Sequence, residues 1–291
     1  MYDPHIDLIE SLALPISDGA EVELLHPLEE LADLIADEPR CTVAISDVHG
    51  WHELLEGVLF RLGMIDENSE RIPSSRTTTL IQVGDGIDGR HFATDLHTLR
   101  LILRVFDRYL VGNHELAYLR GGIRFDGQRQ FHDLSLHLEK AGREGRLGVA
   151  HAEADVLFTH AGVDPRLLSL TRASSAAARL ERLWARWLST RLRQPRPLMG
   201  TEGLRGGGDP YGGVLWQGWR SLLDAPRTRY RQVVGHSPRG AVERDPKGRL
   251  YCFDTGGWRL GVAVCWPDGR LVFGSDVIPE GQEAASVISS T

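Results

Sequence analysis

Long apolar runs are missing from this chain: none approaches the roughly 18 to 20 residues that a membrane-spanning helix requires. The first basic residue is Arg40, so a positively charged secretory start is missing too. Together these absences lead to the expectation of a soluble, cytoplasmic protein with no membrane partner. Cysteine is scarce. Cys41, Cys252 and Cys265 are odd in number and lack C-x-x-C spacing, which excludes a disulfide framework and a thiolate zinc site and leaves buried thiols in strands. No repeat of fixed period is present. What remains is ordinary: 291 residues, 42% hydrophobic and 25% charged, close to the globular average and enough for one large domain or two small ones around a sizeable core.

Charge is unevenly spread. The net charge is −7, yet residues 1–39 hold eleven Asp or Glu and no Lys or Arg. Pro4, Pro15 and Pro27 interrupt this stretch, and Leu28, Leu31 and Ile35 recur at helical spacing. It reads as an extended arm followed by a short helix at about 27–37, more in the manner of a solvated appendage than of a cover for a basic groove. Between Arg166 and Arg196 the bias reverses, with eight arginines against Glu181. Leu180, Leu183, Trp184, Trp187, Leu188 and Leu192 form one apolar helix face there, with Arg179, Arg182, Arg186 and Arg193 largely off it. Those arginines are either solvated or a field that attracts anions. Pro195, Pro197 and Gly206–Gly208 mark a long loop after them.

Elsewhere, short β-branched runs end on metal-ligand residue types. Residues 41–45 lead into Asp47 and His49, 79–83 into Asp85 and Asp88, 109–111 into Asn113 and His114, 156–158 into His160, and 233–234 into His236. Helical patterns follow the first three, at about 51–62, 91–105 and 114–120, so the first half reads β-α-β-α-β-α with candidate ligands where open α/β sheets place their sites. Runs at 250–253, 261–266 and 271–273 with short turns predict antiparallel pairing. The expected fold is therefore α/β, a mixed two-sheet core with helices outside.

Asp47 and His49, two apart on an extended segment, project to one side and can share a metal. Asp85 is the natural bridge to a second, and Asn113, His160 and His236 supply its neutral ligands. This thiolate-free set suits two divalent ions of Mn, Fe or Zn better than Ca or Mg. Such a pair clamps a phosphoryl group and supplies a hydroxide for in-line attack. His114 is placed to protonate the leaving alcohol, with Asp88 to orient its imidazole. Taken singly the residues have plainer readings: Asn113 shaping a turn, Asp88 capping the next helix, a lone His before Gly serving structure. The ordered set is what points to chemistry.

At this point the sequence resembles the calcineurin-like metallophosphoesterases, in particular their phosphoprotein-phosphatase branch, which includes bacterial Ser/Thr phosphatase and dinucleoside tetraphosphatase-like proteins. The segments that carry the resemblance are SDVHG at 46–50, GDGIDGR at 84–90, GNHE at 112–115, HAG at 160–162, GHSP at 235–238 and FDTGG at 253–257. The resemblance implies a β-sandwich flanked by helices, an α/β/β/α metallophosphatase architecture. By it, Asp47, His49 and Asp85 hold one metal, Asp85, Asn113, His160 and His236 the other, and His114 is the general acid with Asp88 its partner. Three arginine positions depart from the family. Gly89 displaces Arg90 by one residue, Gly218 stands where LWxR has its arginine with Arg220 two beyond, and Val111 precedes GNHE. Arg90 and Arg220 are thus the candidate substrate contacts. Pro238 replaces the second His of a GHxH ending, which favours the phosphoprotein-phosphatase layout over nuclease-like ones.

The expected organisation is an acidic arm over 1–40, a metallophosphoesterase domain over 41–280 with a helical, arginine-rich insertion at about 164–212, and a tail over 281–291. The expected activity is metal-dependent hydrolysis of a phosphoprotein, nucleotide or other small phosphorylated metabolite. The alternative is a non-catalytic metal-binding protein whose arginine-rich helix holds nucleic acid or a phosphorylated partner. The net negative charge and the lack of a nucleic-acid module argue against nucleic acid.

Overall fold

A computed structural model describes residues 21–22, 25–88, 94–120, 131–191, 194–256 and 259–276. Arg90 and Arg193, and with them 1–20 and the tail beyond 276, lie outside the described residues.

The opening strands are short because each is a run of four or fewer apolar or β-branched residues stopped by Ser, Gly or Asp. They are β2 (Thr42–Ile45), β3 (Thr79–Gln82) and β4 (Arg108–Leu110), parallel in that order and continued by β5 (Leu147–Gly148). On the other side of β2 lie β11 (Gly261–Cys265) and then β12 (Leu271–Ser275), both antiparallel to their neighbours. The second sheet runs β1 (Glu21–Val22), β9 (Glu243–Arg244), β10 (Leu250–Cys252), β8 (Arg231–Val234), β7 (Val156–Thr159) and β6 (His151–Glu153). Its central trio β7, β8 and β10 is parallel.

The two-residue period of a strand sorts the core into layers. Ala44, Ile81, Leu110 and Ala263 meet Phe158, Val233, Tyr251 and Phe253 between the sheets. Their chain neighbours Val43, Ile45, Leu80 and Val262 face helices instead. Those helices are α1 (Leu28–Asp37), α2 (His52–Arg61), α3 (Asp95–Val105), α4 (Asn113–Leu119) and α5 (Phe131–Arg143). On the far sheet, Trp219 and Leu222 of α8 (Trp219–Asp224) pack on Val234, Leu250 and Cys252. The result is the expected α/β arrangement, two mixed sheets face to face with helices outside.

The described part of the acidic stretch packs on this body. Leu28, Leu31 and Ile35 are at most 3% exposed, and β1 pairs with β9. The arginine-rich segment forms α6 (Ala173–Thr190), with Ala176, Leu180, Trp184 and Trp187 buried at spacings of three and four. Arg179, Arg182 and Arg186 of that helix are exposed. The predicted long loop after it contains two short turns, α7 (Arg196–Met199) and a 3-10 turn at Gly203–Arg205. The predicted antiparallel run of 250–253, 261–266 and 271–273 is corrected in one respect. β11 and β12 pair as expected, but β10 pairs in parallel with β8, Leu250 opposite Gln232. The segment between β10 and β11 does not turn back as a hairpin; it crosses from one sheet to the other and carries Asp254 over the strand ends. The three cysteines are buried and unpaired, and burial raises each thiol. Among the described residues no helix is long and apolar enough to cross a membrane.

Candidate metal centre

All eight sequence-predicted residues outside the arginines lie just past the carboxyl ends of β2, β3, β7 and β8, or at the start of the helix after β4. Parallel strands bring those ends to one edge of each sheet, and the two sheets face each other there. Four site residues adopt left-handed backbone: His49 (φ 50°), Asp85 (φ 51°), Asp88 (φ 68°) and His236 (φ 67°). Such conformations cost about 1–3 kcal/mol each for residues with a side chain and gather where geometry has a use.

Asp85 is at the middle, 2% exposed. Its carboxylate takes the His114 amide at Oδ1 (3.0 Å), while Oδ2 lies 3.5 Å from His114 Nε2 and 3.4 Å from His160 Nε2. Two groups with ligand atoms close enough for one ion share this residue, His49–Asp85–His114 and Asp85–His160–His236. In the second, Asn113 Oδ1 is 2.9 Å and His236 Nδ1 3.0 Å from His160 Nε2. His160 Nδ1 faces the Val83 carbonyl at 3.1 Å, and a carbonyl only accepts, so Nδ1 carries the hydrogen. In the neutral ring Nε2 is then a lone pair aimed among an amide oxygen, a carboxylate oxygen and another imidazole. Lone pairs converge in this way where a cation fits between them, with the carbonyl setting the tautomer from behind.

Asp47 is 1% exposed and lies outside both three-residue groups; its carboxylate oxygens take the His236 amide at 3.0 and 3.2 Å. Burial, then the charges of Asp254 and Asp85, raise its carboxyl well above the usual range. Asp85 goes the other way. Burial alone would raise it, but the charges of His114 and His160 outweigh burial and hold it well below the usual range. Burial and then the Arg205 charge press His236 well down, toward the neutral form a ligand needs.

His114, on the first turn of α4, has Nδ1 3.5 Å from Asp88 Oδ2, and its ring stands edge-on to His49 with centroids 4.9 Å apart. Asp88 Oδ1 accepts the Tyr118 hydroxyl (3.0 Å), and its amide donates to Asp95 Oδ1 (3.0 Å) at the start of α3. Asn113 opens α4, but its side chain points to His160 rather than into a turn.

Five residues with a clear place here were not singled out in the sequence. Glu115, fully buried, accepts the amides of Asp85 (3.0 Å), Gly86 (3.0 Å), Ile87 (3.3 Å) and Gly112 (2.9 Å), and so holds the Asp85 loop against α4. Gly112 is required beside it, because a Cβ there would land on Asp85 Oδ1. Tyr118 follows His114 by four residues, one helical turn, which was the available signal. Asp254, from the FDTGG segment, is 1% exposed and is pushed up to about 6 by burial. Arg205 is 8% exposed and reaches Ser237 Oγ at 3.3 Å. Of the two predicted arginines, Arg220 is an exposed residue of α8 and Arg90 is outside the described residues.

No family model matches the chain, and no curated protein does. Thirteen chains among the solved structures match. One of them, described as "a putative diadenosine tetraphosphatase", is 18% identical, covers 83% of this chain and 96% of its own, and superposes with a TM-score of 0.46.

Proposed function

We propose that this chain is a dinuclear-metal-dependent phosphoester hydrolase of the calcineurin-like type, acting on a phosphoprotein or on a small phosphorylated metabolite or nucleotide. The observation that carries the reading is the sharing of one buried carboxylate, Asp85, by two ligand groups. Asp47, His49 and Asp85 would hold one ion, and Asp85, Asn113, His160 and His236 the other. Imidazole and oxygen donors without thiolate suit Mn, Fe or Zn. Two such ions would draw charge from the phosphoryl oxygens and supply a nucleophilic water near neutral pH.

The chain's own contribution is placement and protons. His114 is assigned the proton rather than a metal. Asp88 lies behind its Nδ1 and Tyr118 behind Asp88, so the ring is oriented with Nε2 toward the centre. From there it protonates the departing alcohol oxygen, a step that contributes about 10²- to 10⁴-fold in rate. Glu115 keeps the Asp85 loop in place through four amides.

Metal analysis joined to a substrate panel of an aryl phosphate, phosphopeptides and dinucleoside polyphosphates tests this. Two metals per chain and metal-dependent hydrolysis are expected. Asp85→Asn should lose metal and about 10³-fold or more in kcat/KM, roughly 4 kcal/mol of transition-state stabilisation. His114→Ala should keep its metals and lose about 10²- to 10⁴-fold in kcat, least on the substrate with the most acidic leaving group. Near-wild-type turnover in both variants would end the proposal.

A further inference from the structure

We infer that Arg205, from the segment between α7 and β8, is the cation that holds the phosphoryl group of the substrate beside His236. The inference rests on the hydrolase reading above. Arginine is seldom this buried, at 8% exposed, because a guanidinium loses much hydration on burial. Here its place is built. The 3-10 turn Gly203–Arg205, closed by Gly206 at φ 77°, brings the side chain inward, and Nη2 donates to Ser237 Oγ at 3.3 Å. Ser237 directly follows His236, and its Oγ also accepts the Trp219 amide at 3.2 Å. The guanidinium is therefore tied to the residue next to a proposed metal ligand.

Gly218 shows that this arrangement is coupled across two loops. Its amide donates to Glu202 Oε1 at 2.9 Å, and Glu202 is itself 7% exposed. A Cβ at position 218 would stand 2.8 Å from Glu202 Oε1 and 3.9 Å from Arg205 Nε. The loop that carries Gly218 and the Glu202–Arg205 turn thus lie in direct contact. The segment Leu215–Gly218, where an arginine would be expected from the resemblance, carries none, and a guanidinium arrives from Arg205 instead. Arg220 is exposed and Val111 is apolar. A planar guanidinium fork matches two oxygens of a phosphate dianion, which an ammonium cannot do.

Arg205→Lys and Arg205→Gln test it, with Arg143→Lys on the exposed face of α5 as a control and Arg220→Lys as the competing candidate. Binding of inorganic phosphate to the metal-loaded protein is followed by calorimetry, beside kcat and KM on an aryl phosphate, metal content and melting temperature. Both Arg205 variants should keep two metals and a cooperative melt, with Arg205→Lys the closer of the two to wild type. They should weaken phosphate binding by about tenfold or more, as expected for one charge-assisted contact, and raise KM in step. Arg143→Lys should be unchanged. Phosphate affinity within twofold of wild type in both Arg205 variants, or a loss that follows Arg220→Lys instead, would overturn the inference while leaving the hydrolase reading intact. A wild-type protein that neither holds metal nor hydrolyses any ester would overturn that reading, and this inference with it.

Discussion

The two ends of the parallel strands β2, β3, β4 and β5 hold charges of opposite sign. At the carboxyl ends the buried ions are acids held by backbone amides. Asp85 takes the amide of His114, Asp47 that of His236, Asp95 that of Asp88, and Glu115 takes four. At the amino ends half-buried arginines are held by backbone carbonyls. Arg71 donates to the carbonyls of Val105 (3.1 Å), Ser75 (2.9 Å) and Thr78 (2.6 Å), and Arg146 to that of Phe106 (3.2 Å). With Arg76, Arg104 and Asp107 they line a cavity of about 480 Å³. Asp107 is the exception, taking the Leu80 amide at 2.7 Å.

Chain direction explains the sorting. Strands running into helix starts leave N–H groups uncommitted, and helices ending before strands leave C=O groups. A charge held by backbone groups therefore marks no function by itself. Among the described residues the carboxyl end differs in having ligand atoms of His236, Asn113 and Asp85 converge within 2.9–3.4 Å of His160 Nε2.

Glu115→Ala strikes this contrast hardest. It leaves the amides of Asp85, Gly86, Ile87 and Gly112 without their acceptor, at about 1–3 kcal/mol per buried group, so a loss above about 4 kcal/mol in urea unfolding is expected, together with loss of metal. If Glu115→Ala kept both stability and metal, the loop would be held by something else.

Arg71→Met should cost less, about 2–3 kcal/mol, because three carbonyls lose a charged donor near the surface, and metal content and turnover should not change. A fall in activity at constant stability would show that the amino end is more than a brace.

The smallest effect concerns His151, which faces Thr42 Oγ1 at 3.2 Å at the start of β2. Burial, and then the Arg108 charge, push it down to about 4. Its folded value lies below its unfolded one, so the unfolded chain takes up the proton first. Its contribution is complete above about pH 6.5 and drains away as pH falls toward 4. Between pH 7 and 5 that amounts to about 2 kcal/mol, and His151→Gln should flatten the stability profile by as much. An unchanged slope would place the acid sensitivity elsewhere.

Much of the site was legible because strand ends are local signals. An apolar run broken by Asp, Asn or His states both where a strand stops and what it presents, and Asp47, Asp85, Asn113, His160 and His236 stood out on that ground. The pairing of β10 with β8 did not, since a short connection reads alike whether it turns back or crosses to the other sheet. Nor did Arg205, because nothing near it in the sequence says that its turn packs against Gly218 and Ser237. Sequence alone determined the kinds of donors and the strand ends that carry them along the chain, since these follow from side-chain chemistry and short-range periodicity. The tertiary structure decided which donors share an oxygen, which amides hold them and which arginine faces them. Those are distances between residues up to 189 positions apart, as in the contact of Asp47 with His236, and only the packing of two sheets sets them.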